Sequence, residues 1–219
     1  MEWTETLCRE TGIRFLTTRP SEIESASFAI IKEELGEEFL KTCPKDQLPV
    51  LCRVIHTTAD FSYKENLYFS EDAVSKAREA LASGIPIITD TTMAASGSIK
   101  RLPLLMASRS AAHQGRDVKG RQESGITRSA VSVDKAARLY PDCIYAVGNA
   151  PRRCGCMKDP RQEIRPRLVV GVPVGFVNVV EAKELILSAG VPCIVARGRK
   201  GGSNVAAAIC NALLYDRKI

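Results

Sequence analysis

A chain of 219 residues with 45% hydrophobic content can bury a substantial core, as one large domain or two small ones. Its 31 Lys and Arg against 25 Asp and Glu leave a formal charge of +6, which points to an anionic partner without naming it. Aromatic residues are few and not interleaved with basic ones, which argues against a nucleic-acid stacking platform, and no apolar run reaches membrane-spanning length.

Residues 1–20 read as an irregular leader, not a signal peptide, so a cytoplasmic location is expected. Ser21 is placed to cap a helix over residues 21–40, with Ile23, Phe28, Ile31, Leu35 and Phe39 as its apolar stripe and Ser27 beside it. After Cys43 and Pro44, Asp46 is placed to cap a second helix of about three turns, marked by Leu48, Leu51, Cys52 and Ile55. His56, one of only two histidines, falls near the end of that helix and is followed by Thr57, Thr58 and Asp60. A helix end favours the imidazolium, and histidine exchanges a proton near neutral pH. The plain alternative is a histidine that caps its own helix. A third helix opens at Ser70 and stops at Ser83 and Gly84.

From residue 85 the pattern becomes alternating strands and helices. Short apolar strands are predicted over residues 85–89, 142–147, 168–170 and 192–196, with a further one near 102–107. Helices are predicted around residues 127–139, 178–189 and 203–215. Continuous apolar strands between helices mean a parallel sheet covered on both faces, a doubly wound α/β domain of about five strands. Ligands of such sheets bind beyond the carboxyl ends of the strands. Four strands end there in polar or glycine-rich turns, at Asp90, at Asn149, at Pro173 with Gly175, and at Arg197 with Gly201 and Gly202.

The turn at residues 197–203, RGRKGGS, leads into a helix with Ser203 as its expected N-cap. Backbone N–H groups with Arg197, Arg199 and Lys200 would cradle an anion there. Its spacing is neither that of a P-loop nor of a dinucleotide fingerprint. GVPVGF at residues 171–176 is apolar and tight, better suited to walling a flat ligand than to holding a phosphate. Thr127, Arg128 and Ser129 open a helix and add a cation and two hydroxyls, while Glu181 and Lys183 are expected to face solvent as a surface pair. Of eight cysteines, Cys52, Cys143, Cys193 and Cys210 sit in apolar runs as reduced core residues. Cys154 and Cys156 lack the second pair that zinc requires, so no metal is expected. One proton handler, several cations and apolar walls suit a large polyanion whose chemistry needs positioning and a proton.

These pieces together resemble the precorrin-8X methylmutases of cobalamin biosynthesis. The matching segments are SFAII (27–31), RVIHTT (53–58), GIPIITD (84–90) with Met93, TRSA (127–130), GNAP (148–151), GVPVGFV (171–177) with Glu181 and Lys183, and RGRKGGS (197–203). They run in family order over about residues 20 to 214, within what is expected to be a single domain over residues 1–219. The resemblance implies a flavodoxin-like, three-layer homodimer with its site near the subunit interface. It implies a methyl shift from C-11 to C-12 of precorrin-8X or cobalt-precorrin-8, giving hydrogenobyrinate or cobyrinate, with no separate cofactor. His56 takes the family's histidine position as proton donor or acceptor. The substrate-binding set is Ser27, Thr57, Asp90, Thr127, Arg128, Ser129, Asn149, Pro173, Gly175, Arg197, Gly198, Arg199, Gly201, Gly202 and Ser203. Residues 96–123 and 152–159 depart from the family pattern between matching flanks, as divergence or a local frame shift would produce. The alternatives are a corrinoid-binding protein without turnover, and an α/β phosphate- or nucleotide-binding enzyme.

Overall fold

The computed structural model describes residues 10–13, 19–98, 104–106, 139–149 and 166–215, and the chain forms two compact units, residues 1–41 and 42–219. In the first unit helix α1 (Pro20–Leu35) starts one residue earlier than the sequence predicts. Arg19 occupies the N-cap and Pro20 the first turn, where proline's fixed φ fits and its missing N–H is not needed. Gly36, at φ +80, ends α1 by donating its N–H to the Lys32 and Glu33 carbonyls, and α2 (Glu37–Thr42) follows. The single helix expected over residues 21–40 is therefore two, and Ile31 and Leu35 are the buried members of its stripe.

The second unit opens with α3 (Leu48–Thr58), whose N-cap is Gln47 rather than Asp46. Val50, Leu51, Cys52, Val54 and Ile55 form its buried face. Next come the single turn α4 (Tyr63–Asn66), β1 (Leu67–Phe69), α5 (Ala73–Ala82), β2 (Ile87–Thr89) and α6 (Thr92–Gly97). Then follow β3 (Leu104–Met106), β4 (Ile144–Val147), β5 (Leu168–Gly171), α7 (Val179–Leu187), β6 (Cys193–Ala196) and α8 (Ser203–Tyr215). All five predicted strands are present, each within the span expected of it or one residue beyond, whereas β1, α4 and α6 were not anticipated.

The sheet runs β1-β6-β5-β4-β2-β3, parallel throughout except for β1, which pairs antiparallel with β6 at the edge. Counted in chain order, the parallel strands β2 to β6 lie 2-1-3-4-5, the flavodoxin-like order, with its switch point between β2 and β4. Strands β2, β4, β5 and β6 are buried along their whole length, as their unbroken apolar sequences require. On one face Ile88, Tyr145, Val147, Val169 and Val195 pack with Ala182 and Ile186 of α7. Alternation along each strand turns Ile87, Ile144, Ala146, Leu168, Val170 and Ile194 to the other face, and all are buried. Burying each such Ile, Leu or Val stabilises the fold by about 1.5–3 kcal/mol. Helix α8, apolar nearly all round, packs chiefly on α3 and α6 and also touches α5, β4 and β5.

Candidate active site

The carboxyl ends of the parallel strands gather the predicted turns along one sheet edge. At the switch point, Asp90 follows β2 and its carboxylate clamps the end of β4. Its Oδ1 accepts the Gly148 N–H and its Oδ2 the Asn149 N–H, each at 2.9 Å. Both oxygens thus fix backbone, and Asn149 is left exposed beside them. Gly148 allows α8 to start against it, since a Cβ there would meet Ser203 Cα at 2.7 Å. Ser203 is the first residue of α8 and its hydroxyl lies 2.8 Å from that of Thr91, not on its own helix as an N-cap. The capping geometry found at this edge belongs to Thr91, whose Oγ1 accepts the Ala94 N–H and starts α6.

The turns after β5 and β6 are laced together. Gly202 N–H donates to the Val172 carbonyl at 2.7 Å and Gly175 N–H to the Arg199 carbonyl at 3.2 Å. Gly201, at φ +154, admits no side chain, because a Cβ would strike the Val172 and Pro173 carbonyl oxygens. Pro173 is buried in this contact, while Gly198, Arg197 and Arg199 are exposed. The Arg197 guanidinium lies over the Tyr68 ring at 4.8 Å and Arg199 over Phe176 at 5.5 Å. Phe176 is 83% exposed and Val177 75%, so the apolar wall read in residues 171–176 stands open at this edge.

Two side chains correct the sequence reading. Lys183 does not face solvent: it is fully buried, and its Nζ donates to the Gly198 carbonyl at 2.7 Å and the Lys200 carbonyl at 2.8 Å. Lys200, assigned to the anion cradle, instead sends its ammonium to Asp60 Oδ2 at 2.6 Å and Ser62 Oγ at 2.9 Å. The hydrogen bond from Lys200, then that from Ser62, holds the Asp60 carboxyl below its ordinary range. No local pattern announces either contact, because the partners stand 15 and 17 residues apart for Lys183 and 140 apart for Lys200 and Asp60.

His56 is half-buried in the last turn of α3. Thr57 and Thr58 return their hydroxyls to the Arg53 and Val54 carbonyls at 2.9 and 2.8 Å, and Ala59 closes the helix in the left-handed region at φ 51. The next residues, Asp60 and Ser62, are those held by Lys200, so the helix end carrying His56 is tied to the 197–203 turn. Asp90, Asn149, Pro173, Gly175, Arg197, Gly198, Arg199, Gly201, Gly202 and Ser203 thus share one edge with that tie. Ser27 belongs to the first unit, and Thr127, Arg128 and Ser129 lie outside the described residues, as do Cys154, Cys156, residues 152–159 and, apart from 96–98 and 104–106, the stretch 96–123. A cavity of about 770 Å³ lies at the opposite edge, between Lys76, Ser83, Asp142, Arg167 and Pro192, where Arg167 pairs with Asp142 at 3.1 Å.

The family model described as precorrin-8X methylmutase matches residues 22–216, nearly the whole chain. The chain belongs to the precorrin-8X methylmutase family. The cobalt-precorrin-8 methylmutase of Salmonella typhimurium is 41% identical over 203 residues, covering 90% of this chain and 95% of that one. The precorrin-8X methylmutase of Pseudomonas aeruginosa is 34% identical, over 88% and 93% of the two chains. The solved structure of precorrin-8X methylmutase from Thermus thermophilus superposes with a TM-score of 0.77 at 36% identity, covering 89% of this chain and 94% of that one. Membership in a methylmutase family makes the chain an isomerase of the intramolecular-transferase kind.

Proposed function

We propose that this protein moves a methyl group from C-11 to C-12 of precorrin-8X or cobalt-precorrin-8, yielding hydrogenobyrinate or cobyrinate for cobalamin biosynthesis. The observation that carries the reading is the family match over residues 22–216. Relatives named for the cobalt-containing and for the cobalt-free substrate both align over most of the chain. The reaction is an isomerisation with nothing gained or lost, so the protein's task is to bind, orient and move a proton. His56, in the last turn of α3, is the proposed proton donor and acceptor.

The remaining machinery follows from the substrate's shape and charge. Val174, Phe176 and Val177 offer an exposed apolar wall to the flat macrocycle. Arg197 and Arg199 are proposed partners for its carboxylates, joined by Arg128 with Thr127 and Ser129. Ser27 and Thr57 complete the proposed substrate set. No helix among the described residues is long and apolar enough to cross a membrane, which agrees with the proposed cytoplasmic location. The chain is proposed to act as one family domain and as a homodimer, because a corrin exceeds the crevice of a single small doubly wound domain.

The test is incubation with cobalt-precorrin-8 and with precorrin-8X while the visible spectrum is followed. Conversion to the product chromophore is expected with at least one of them. Binding without conversion of either would instead make the protein a corrinoid carrier, and nucleotide binding without corrinoid affinity would overturn both readings.

A further inference from the structure

Lys183 is a fully buried ammonium set beneath the turn that the proposed function assigns to substrate carboxylates. It sits on α7, the helix that follows the β5 turn, and its contacts reach across to the β6 turn. Its Nζ donates to two backbone carbonyls of that turn, those of Gly198 and Lys200. The carbonyl between them, that of Arg199, accepts the Gly175 N–H. Three successive carbonyls are therefore drawn inward or sideways to protein donors.

The consequence follows from peptide planarity. In a trans peptide the C=O of one residue and the N–H of the next point in opposite directions, and no cis peptide occurs among the described residues. With the Gly198 and Lys200 carbonyls aimed at buried Lys183, the N–H groups of Arg199 and Gly201 aim away from it, towards the exposed side of the turn. Among the described residues neither N–H has a hydrogen-bond partner, whereas the Gly202 N–H is taken by Val172. Paired outward N–H groups form an anion-binding concavity, and here the exposed Arg197 and Arg199 side chains flank it.

We infer that Lys183 is a positioning residue for substrate binding, which turns the 198–201 backbone so that the Arg199 and Gly201 N–H groups receive a substrate carboxylate. This rests on the proposed function for the identity of the ligand. It differs from a purely structural staple in predicting that loss of Lys183 damages affinity rather than the chemical step.

Two measurements test it. In the wild-type protein, titration with citrate, a small polycarboxylate probe, should move the Arg199 and Gly201 amide resonances saturably. In K183M, checked for folding by circular dichroism, those shifts should disappear, and KM for cobalt-precorrin-8 should rise about tenfold or more while kcat changes far less. Unmoved amides in the wild type, or a folded K183M with wild-type KM, would overturn the inference. If K183M does not fold, the wild-type titration decides alone. If the wild type converts no precorrin, the functional reading falls while the amide titration still decides the role of the turn.

Discussion

Cys143 and Cys210 show what burial does to single groups in this fold. Each is a free thiol pushed up to about 12, by burial first of all, with the Asp142 charge adding to the effect at Cys143. A thiol whose folded pKa is raised keeps its proton after the unfolded chain has lost it. The folded state then binds more protons, so stability is full below about pH 8.5 and falls as pH rises towards 12. Asp60 behaves in the opposite sense: its depressed pKa stabilises the folded state above the usual carboxylate range and is lost in acid. Urea unfolding at pH 8 and pH 10 should give a lower midpoint at the higher pH, and a thiol reagent should leave both cysteines unmodified in the folded state. An unchanged midpoint or rapid labelling would contradict the burial assigned to them. The sequence made these cysteines legible as core because they stand in apolar runs. It hid Lys183, whose charged side chain early in a helix reads as solvated until the β6 turn is seen folded over it.

Among elements, the paired turns after β5 and β6 carry the most specific geometry. Gly198 and Gly201 both adopt positive φ, yet a Cβ on Gly198 meets nothing within 4 Å while one on Gly201 would strike backbone carbonyls. Gly198→Ala should therefore cost about 1 kcal/mol of conformational strain. Gly201→Ala adds a clash with backbone that cannot swing aside, and should cost about 2–4 kcal/mol. Chemical denaturation of the two variants checks this, and equal losses would show that the turns are not packed as described. The strands were legible because four to five consecutive apolar residues between helices admit few other readings. β1 was not, since three residues at an antiparallel edge carry no period, and its place is set by bonds from Arg197 to Asn66 and between Ser70 and Cys193. The break at Gly36 was missed for a related reason, because one glycine inside a helical pattern does not by itself stop a helix.

At the scale of the whole molecule, the 2-1-3-4-5 order puts the Asp90 clamp at the switch point and every glycine-rich turn on the same edge. That much of the site was readable, because strand ends in a parallel sheet have only one edge to share. The homodimer is a separate expectation, and sedimentation at micromolar concentration should find two chains. An active monomer would refute a shared-interface site. The central claim, a methylmutase whose proton handler is His56, meets its most direct test in one assay. Equal amounts of wild type and His56→Ala are incubated with cobalt-precorrin-8 and precorrin-8X, and the product chromophore is timed. The wild type should convert at least one substrate, and the variant should still bind it but turn over about 10²–10⁴-fold more slowly. Near-equal rates in the two proteins, or no conversion by the wild type, would contradict the account.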